Sequence, residues 1–176
     1  SYTILPNALW CAINNGCNPF TFPGGPEPKS TGPKTGYLYE MKSMDEVLAA
    51  YKTQIDFFTK WQVSMVSCYE YVYGIMTPLP LLSATMEGCM EQGLDVMWGG
   101  AKYNGAGNSS IGHGNVADSL NIIDQVCFRD KIATTRELYD ALMANWEGYE
   151  ELNRIIRNEL QHFGNAIPEI DQWAKR

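Results

Sequence analysis

The chain is short of charge, of histidine and of long apolar runs. Charged residues make up 19% of its 176 positions, and acids outnumber Lys and Arg by 20 to 13, for a net charge of −7. With no basic patch, that balance argues against nucleic acid and anionic membrane as partners. No apolar run approaches the ~20 residues a membrane span needs. Ser1-Tyr2-Thr3-Ile4-Leu5-Pro6 has no basic n-region, so no signal peptide is expected. The two histidines, His113 and His162, lie in different segments. The five cysteines (Cys11, Cys17, Cys68, Cys89 and Cys127) form an odd set without a C-x-x-C. Neither a metal site nor a disulfide framework is expected, and a reducing cytoplasm is the expected setting. Cys68, Cys89 and Cys127 are expected to be reduced and mostly buried on helices.

Glycine, by contrast, is concentrated. Gly99-Gly100-Ala101-Lys102-Tyr103-Asn104 runs directly into Gly105-Ala106-Gly107-Asn108-Ser109-Ser110-Ile111-Gly112-His113-Gly114. Such a loop costs backbone entropy and adds little packing. It belongs where backbone passes close to a ligand or to another strand.

Around it the periodicity is helical, and 45% hydrophobic residues suffice for a one-domain core. A short helix is predicted over residues 7–15, with Ala8, Leu9, Ala12 and Ile13 as its apolar face. Residues 18–37 hold most of the prolines and read as a surface loop. Ser43-Met44-Asp45-Glu46 is a capping box opening a long helix to about Tyr73. A shorter helix is predicted over 83–92, stopped by Gly93. Residues 94–98 alternate and read as a strand. Asn115 is the expected cap of a helix reaching Phe128, and Thr134-Thr135-Arg136-Glu137 is a second capping box. A further helix carries Leu152, Ile155, Ile156 and Leu160 and stops at Gly164. Pro168 suits the first turn of a last short helix. Glu87, Glu91 and Asp95 read as a solvated helix face and its end. The fold is thus mostly α with a few strands. Such strands cannot close a sheet alone, and their partners are expected outside the chain. The chain opens without methionine on structured sequence, and reads as part of a longer protein.

Several short motifs fall in a familiar order. They are Ala12-Ile13-Asn14-Asn15-Gly16, Gly32-Pro33-Lys34-Thr35-Gly36, Pro78-Leu79-Pro80-Leu81-Leu82-Ser83 and Gly88-Cys89-Met90-Glu91-Gln92-Gly93-Leu94-Asp95. Then come the Gly99 to Asn104 motif, Asn115-Val116-Ala117-Asp118-Ser119-Leu120, Asn145-Trp146-Glu147-Gly148-Tyr149-Glu150 and Phe163-Gly164-Asn165. Each is weak alone, but together and collinear the series resembles the glycyl radical enzymes, the superfamily of pyruvate formate-lyase and the glycerol and choline lyases. The resemblance covers nearly the whole chain. It implies that residues 1–176 are one segment of a ten-stranded α/β barrel, in the second half-barrel and its helices.

In that family one loop carries a cysteine that becomes a thiyl radical, and another carries the glycine that stores the radical. Gly88-Cys89-Met90-Glu91 matches the thiyl pattern locally, but its flanks match the later helix motif. Gly16-Cys17-Asn18-Pro19 follows the A-I-N-N-G helix, whereas the family's cysteine precedes it. Thr35-Gly36-Tyr37 lacks the Arg-Val of the radical-glycine motif. Both radical residues are therefore expected outside this chain, and no residue here is expected to be catalytic.

The resemblance implies a parent acting as a radical lyase, dehydratase or decarboxylase on a small molecule. It implies a glycyl radical installed by a radical S-adenosylmethionine activating enzyme, no cofactor bound by this segment, and a homodimer. Expected pocket-lining residues are Tyr2 and Thr3, just after the thiyl loop, and Asn104, Ser109, Ser110 and His113 on the glycine loop. The alternative is a stand-alone helical binding or interaction domain without chemistry.

Overall fold

A computed structural model describes residues 2–18, 30–105 and 107–175. Residues 19–29 of the expected surface loop, Ala106 of the glycine run and the Tyr2 side chain lie outside the described residues. In chain order the elements are β1 (Tyr2–Ile4), α1 (Leu5–Ile13), α2 (Met44–Met76), α3 (Pro80–Ser83) and α4 (Cys89–Gln92). They continue with β2 (Ser109–Ile111), α5 (His113–Ile123), α6 (Thr135–Met143), α7 (Glu150–Asn158) and α8 (Pro168–Lys175). Single tight turns of helix lie at Leu38–Glu40 and Val96–Trp98, and α5 widens into a π turn over Asp124–Arg129.

The chain divides into two compact units. Unit 1 holds residues 1–3 and 59–109; unit 2 holds residues 4–58 and 110–176. The division passes through α2 and through both strands.

Unit 2 is built on a hydrophobic core. Leu9, Ala12 and Ile13 of α1 join Val47 and Ala50 of α2, Val116, Leu120 and Ile123 of α5, and Leu138 of α6. Leu38 and Val47 are fully buried. Each such Val or Leu contributes about 1.5–3 kcal/mol through burial. The capping boxes start the helices where the sequence places them. The amide of Glu137 donates to Thr134 Oγ1 (3.1 Å), and Glu137 Oε2 accepts from the Thr134 amide (2.7 Å). The amide of Glu46 donates to Ser43 Oγ (3.3 Å), while its carboxylate accepts from the amide of Lys42 (2.7 Å), one residue further back than the box pattern has it.

Unit 1 contains the distal half of α2, the short helices α3 and α4, and the first part of the glycine run. Among its described residues Cys89 is the one buried apolar side chain.

Five sequence expectations need correction. Of the helix predicted over 83–92 only α4 forms: α3 ends at Ser83, residues 84–88 run through turns, and Gly88 adopts φ +101° just before α4. Residues 94–98 are not a strand: the Asp95 side chain accepts from the Met97 amide and winds Val96–Trp98 into a 3-10 turn. The strand forms later, at β2, and it pairs with β1 in a two-stranded sheet, so its first partner lies inside the chain. Asn115 is not the cap of α5. Gly112, at φ +89°, precedes the first turn, and a Cβ there would collide with the Pro6 ring. Cys68 is exposed, because the distal half of α2 packs against little among the described residues; Cys89 is buried and Cys127 half-buried.

Candidate functional site

The quoted motifs turn out to be structural partners. In unit 2, the A-I-N-N-G turn grips the G-P-K-T-G segment. The Asn15 amide donates to the Gly36 carbonyl (2.8 Å), and Asn15 Oδ1 accepts from the Gly36 amide (3.0 Å). The Thr31 and Gly32 amides both donate to the Gly16 carbonyl. Gln54, fully buried on α2, donates from Nε2 to the Pro33 carbonyl (2.7 Å) and to Thr35 Oγ1 (3.0 Å). The N-V-A-D-S-L helix holds the F-G-N segment likewise. Asp118 Oδ1 accepts from the Phe163 amide (2.5 Å), and buried Asn121 donates to the Gln161 carbonyl (3.3 Å).

In unit 1 the joint is Asp95. Its Oδ1 accepts from the Met97 amide (2.9 Å). Its Oδ2 accepts from the Leu79 amide (2.9 Å) and Ser83 Oγ (2.8 Å). Ser83 Oγ in turn accepts from the Val96 amide (2.9 Å). The Met97 amide foremost, with the Ser83 hydroxyl and the Leu79 amide, holds the Asp95 carboxyl below the usual carboxylate range. This clasp ties the P-L-P-L-L-S turn to the turn entering the glycine run. Asp95 is therefore not part of a solvated helix face. Its companions are exposed to solvent, as expected: Glu87 pairs with Lys102 (2.6 Å), and Glu91 on α4 accepts from the Gly88 amide (2.9 Å).

The glycines beside it serve close backbone approach. The Lys102 amide donates to the Glu87 carbonyl (2.8 Å), drawing the glycine run against the α4 turn. A Cβ on Gly88 would meet the Gly100 carbonyl oxygen and the Lys102 nitrogen at 2.9 Å each. A Cβ on Gly100 would run into the Leu94 carbonyl. Crowding by neighbouring backbone thus accounts for Gly100, as the sequence suggested.

The six residues expected to line a pocket fall in three places. Tyr2 and Thr3 lie on β1, and Ser109 and Ser110 on β2, the strands of the two-stranded sheet. Thr3 Oγ1 donates to Gln62 Oε1 of α2. Asn104 lines a hollow of about 560 Å³ in unit 1, with Glu70, Tyr71, Val96, Trp98 and Gly105. Trp98 stands edge-to-face with Tyr71 (5.8 Å) and lies over Gly74. His113 lines a different cavity of about 390 Å³, in unit 2, walled by Leu5, Tyr51, Ile55, Val116 and Trp173. Burial pushes the Tyr51 hydroxyl there up to about 12, so it remains a neutral donor. Asn104 and His113 thus line separate hollows, one in each unit. No cluster of three or more His, Cys, Asp or Glu able to hold a metal occurs among the described residues. No helix among them is long and apolar enough to cross a membrane.

The sequence and the fold have close counterparts. A family model described as pyruvate formate lyase-like matches residues 1–176. The chain is 33% identical to a (2S)-3-sulfopropanediol dehydratase of Klebsiella oxytoca over 176 residues, 99% of this chain and 21% of that protein. It is 30% identical to the trans-4-hydroxy-L-proline dehydratase of Clostridioides difficile over 171 residues, 97% of this chain and 21% of that protein. Its fold matches the glycerol-bound B12-independent glycerol dehydratase from Clostridium butyricum with a TM-score of 0.88 at 32% identity, over 98% of this chain and 21% of that one. The chain thus spans about a fifth of the length of these relatives. It belongs to the pyruvate formate lyase-like family of glycyl radical enzymes, as a segment of the large catalytic subunit.

Proposed function

We propose that the parent protein is a glycyl radical dehydratase acting on a small hydroxylated molecule, and that this segment supplies scaffold and wall. The observation that carries this reading is the full-length family match, with similarity to three dehydratases. The radical supplies hydrogen-atom abstraction from substrate carbon, which renders a neighbouring hydroxyl a leaving group. That chemistry needs a closed, water-poor cavity. The chain's residues contribute walls: Thr3, Ser109 and Ser110 on the paired strands offer hydroxyls, and Tyr2, Asn104 and His113 complete the proposed lining.

The radical-bearing cysteine and glycine belong, in this reading, to other parts of the parent. The state of Cys89 supports that: it is buried at 2% exposure on α4, a packed thiol and not a group presented to substrate. The parent's partners would be an activating enzyme that installs the radical and a second copy of itself, and its setting an anaerobic cytoplasm.

The test is anaerobic activation of the full-length parent by its cognate activating enzyme, followed by electron paramagnetic resonance and turnover on a panel of small 1,2-diols. A carbon-centred radical with release of water from a diol is the expected result. A correctly folded, activated parent showing neither radical nor turnover contradicts the reading.

A further inference from the structure

The distal half of α2 is apolar in an unusual way. Over residues 59–76 its only charged side chains are Lys60 and Glu70. Trp61 (60%), Tyr71 (60%), Tyr73 (51%) and Met76 (74%) are all largely exposed. Tyr71, Val72 and Tyr73 are consecutive and each is exposed; at 3.6 residues per turn they alone sweep about 200° of the helix surface. A surface helix carries one apolar stripe, whereas a helix apolar over most of its circumference is an interior helix. The same character continues past the helix at Leu81, which is 84% exposed, and at Trp98 beside the unit 1 hollow.

We infer that this surface of unit 1, centred on Trp61, Tyr71, Tyr73, Met76 and Leu81, is an internal packing interface covered by the remainder of the same polypeptide. The inference rests on the reading of the chain as a segment of a longer subunit. Two observations choose the occupant. The matching fold uses 98% of this chain but 21% of the related chain, so four fifths of that chain lies outside the shared region. And an apolar surface wrapped around a helix needs elements on several sides. A second copy on a two-fold axis offers one self-complementary patch and covers one side. The covering segments should be apolar, poor in charge, and supply acceptors for the tyrosine hydroxyls.

The experiment is hydroxyl-radical footprinting of the unactivated full-length parent, read by peptide mass spectrometry, above and below the concentration at which the parent dissociates to monomer. Trp61, Tyr71, Tyr73, Met76 and Leu81 should be modified at least about tenfold more slowly than in denatured parent, equally at both concentrations. Modification at the denatured rate overturns the inference. So does protection that disappears on dilution, which makes a second copy the occupant. Protection that appears only with added activating enzyme also overturns it. Because the parent is probed without activation, failure here is separate from failure to form a radical. A protected parent that never forms the radical retains this interface and loses only the dehydratase reading.

Discussion

Unit 2 and unit 1 are held together by different means. Every residue of the hydrophobic core cluster belongs to unit 2. Of the large apolar side chains that stand exposed among the described residues, all but Ile4, Ile111, Ile132 and Phe163 belong to unit 1. Unit 1 is organised instead by the Asp95 clasp, by backbone contact between the Gly88 and Gly100 segments, and by Trp98 against Tyr71. A hydrogen bond contributes a net ~1 kcal/mol, and less where water competes for it. Such bonds shape a loop but do not replace a core. The contrast teaches that a segment can be fully specified locally and still depend on distant sequence for its burial.

The largest expected effect lies in the core of unit 2. Leu38→Ala should destabilise by about 2–5 kcal/mol, whether in the parent or in the 176-residue chain produced alone. Tyr73→Ala should match that direction only in the parent. In the chain alone it should stay within about 0.5 kcal/mol, as surface substitutions do. Denaturant unfolding of both variants in both hosts checks the pair. A large Tyr73→Ala effect in the isolated chain would break the comparison.

Next is Gly100→Val. Its side chain meets the Leu94 carbonyl, and overpacking of this kind costs about 1–3 kcal/mol. Turnover of the activated parent should fall far more than helix content by circular dichroism on the same preparation. Reacting groups need alignment to within about 3–3.5 Å, and a displaced loop loses it. Normal turnover with a normal spectrum would make the loop an ordinary connection.

These two sites also show what was legible in advance. Helical periodicity and caps located α2, α6 and the core, because burial on one face writes a regular pattern. Gly100 was legible as a crowded position because its run was too glycine-rich to be mere connection. The break at Gly88 and the turn at Val96 were not. The first depends on Gly88 meeting the Gly100 and Lys102 backbone and the second on the Asp95 side chain accepting from the Met97 amide, and no period in the sequence records either contact. The hollows themselves were not legible either: Asn104 and His113 share a loop in sequence yet line separate cavities, one in each unit.

A smaller effect sharpens the clasp. Asp95 is held below its ordinary value of 3.8, so its contribution is complete above that pH and is lost as pH falls through the lower folded value. Asp95→Asn should remove it at every pH. Hydrogen exchange at the Leu79 and Met97 amides of the parent, corrected for intrinsic rates, should quicken locally in the variant at pH 7 while Val47 and Leu138 stay protected. Unchanged exchange at both amides would show the clasp is dispensable.

The most direct measurement uses one cysteine from each unit. Cys127 is half-buried, and burial pushes its thiol up to about 12. At pH 8 that leaves it ~10³-fold less thiolate than an ordinary cysteine. Cys68 stands exposed on the distal half of α2. Peptide-resolved alkylation of native, full-length parent should find Cys68 as well protected as Cys127, with both released on denaturation. Alkylation of Cys68 in the native parent at its denatured rate would mean that unit 1 faces solvent, and would contradict the account.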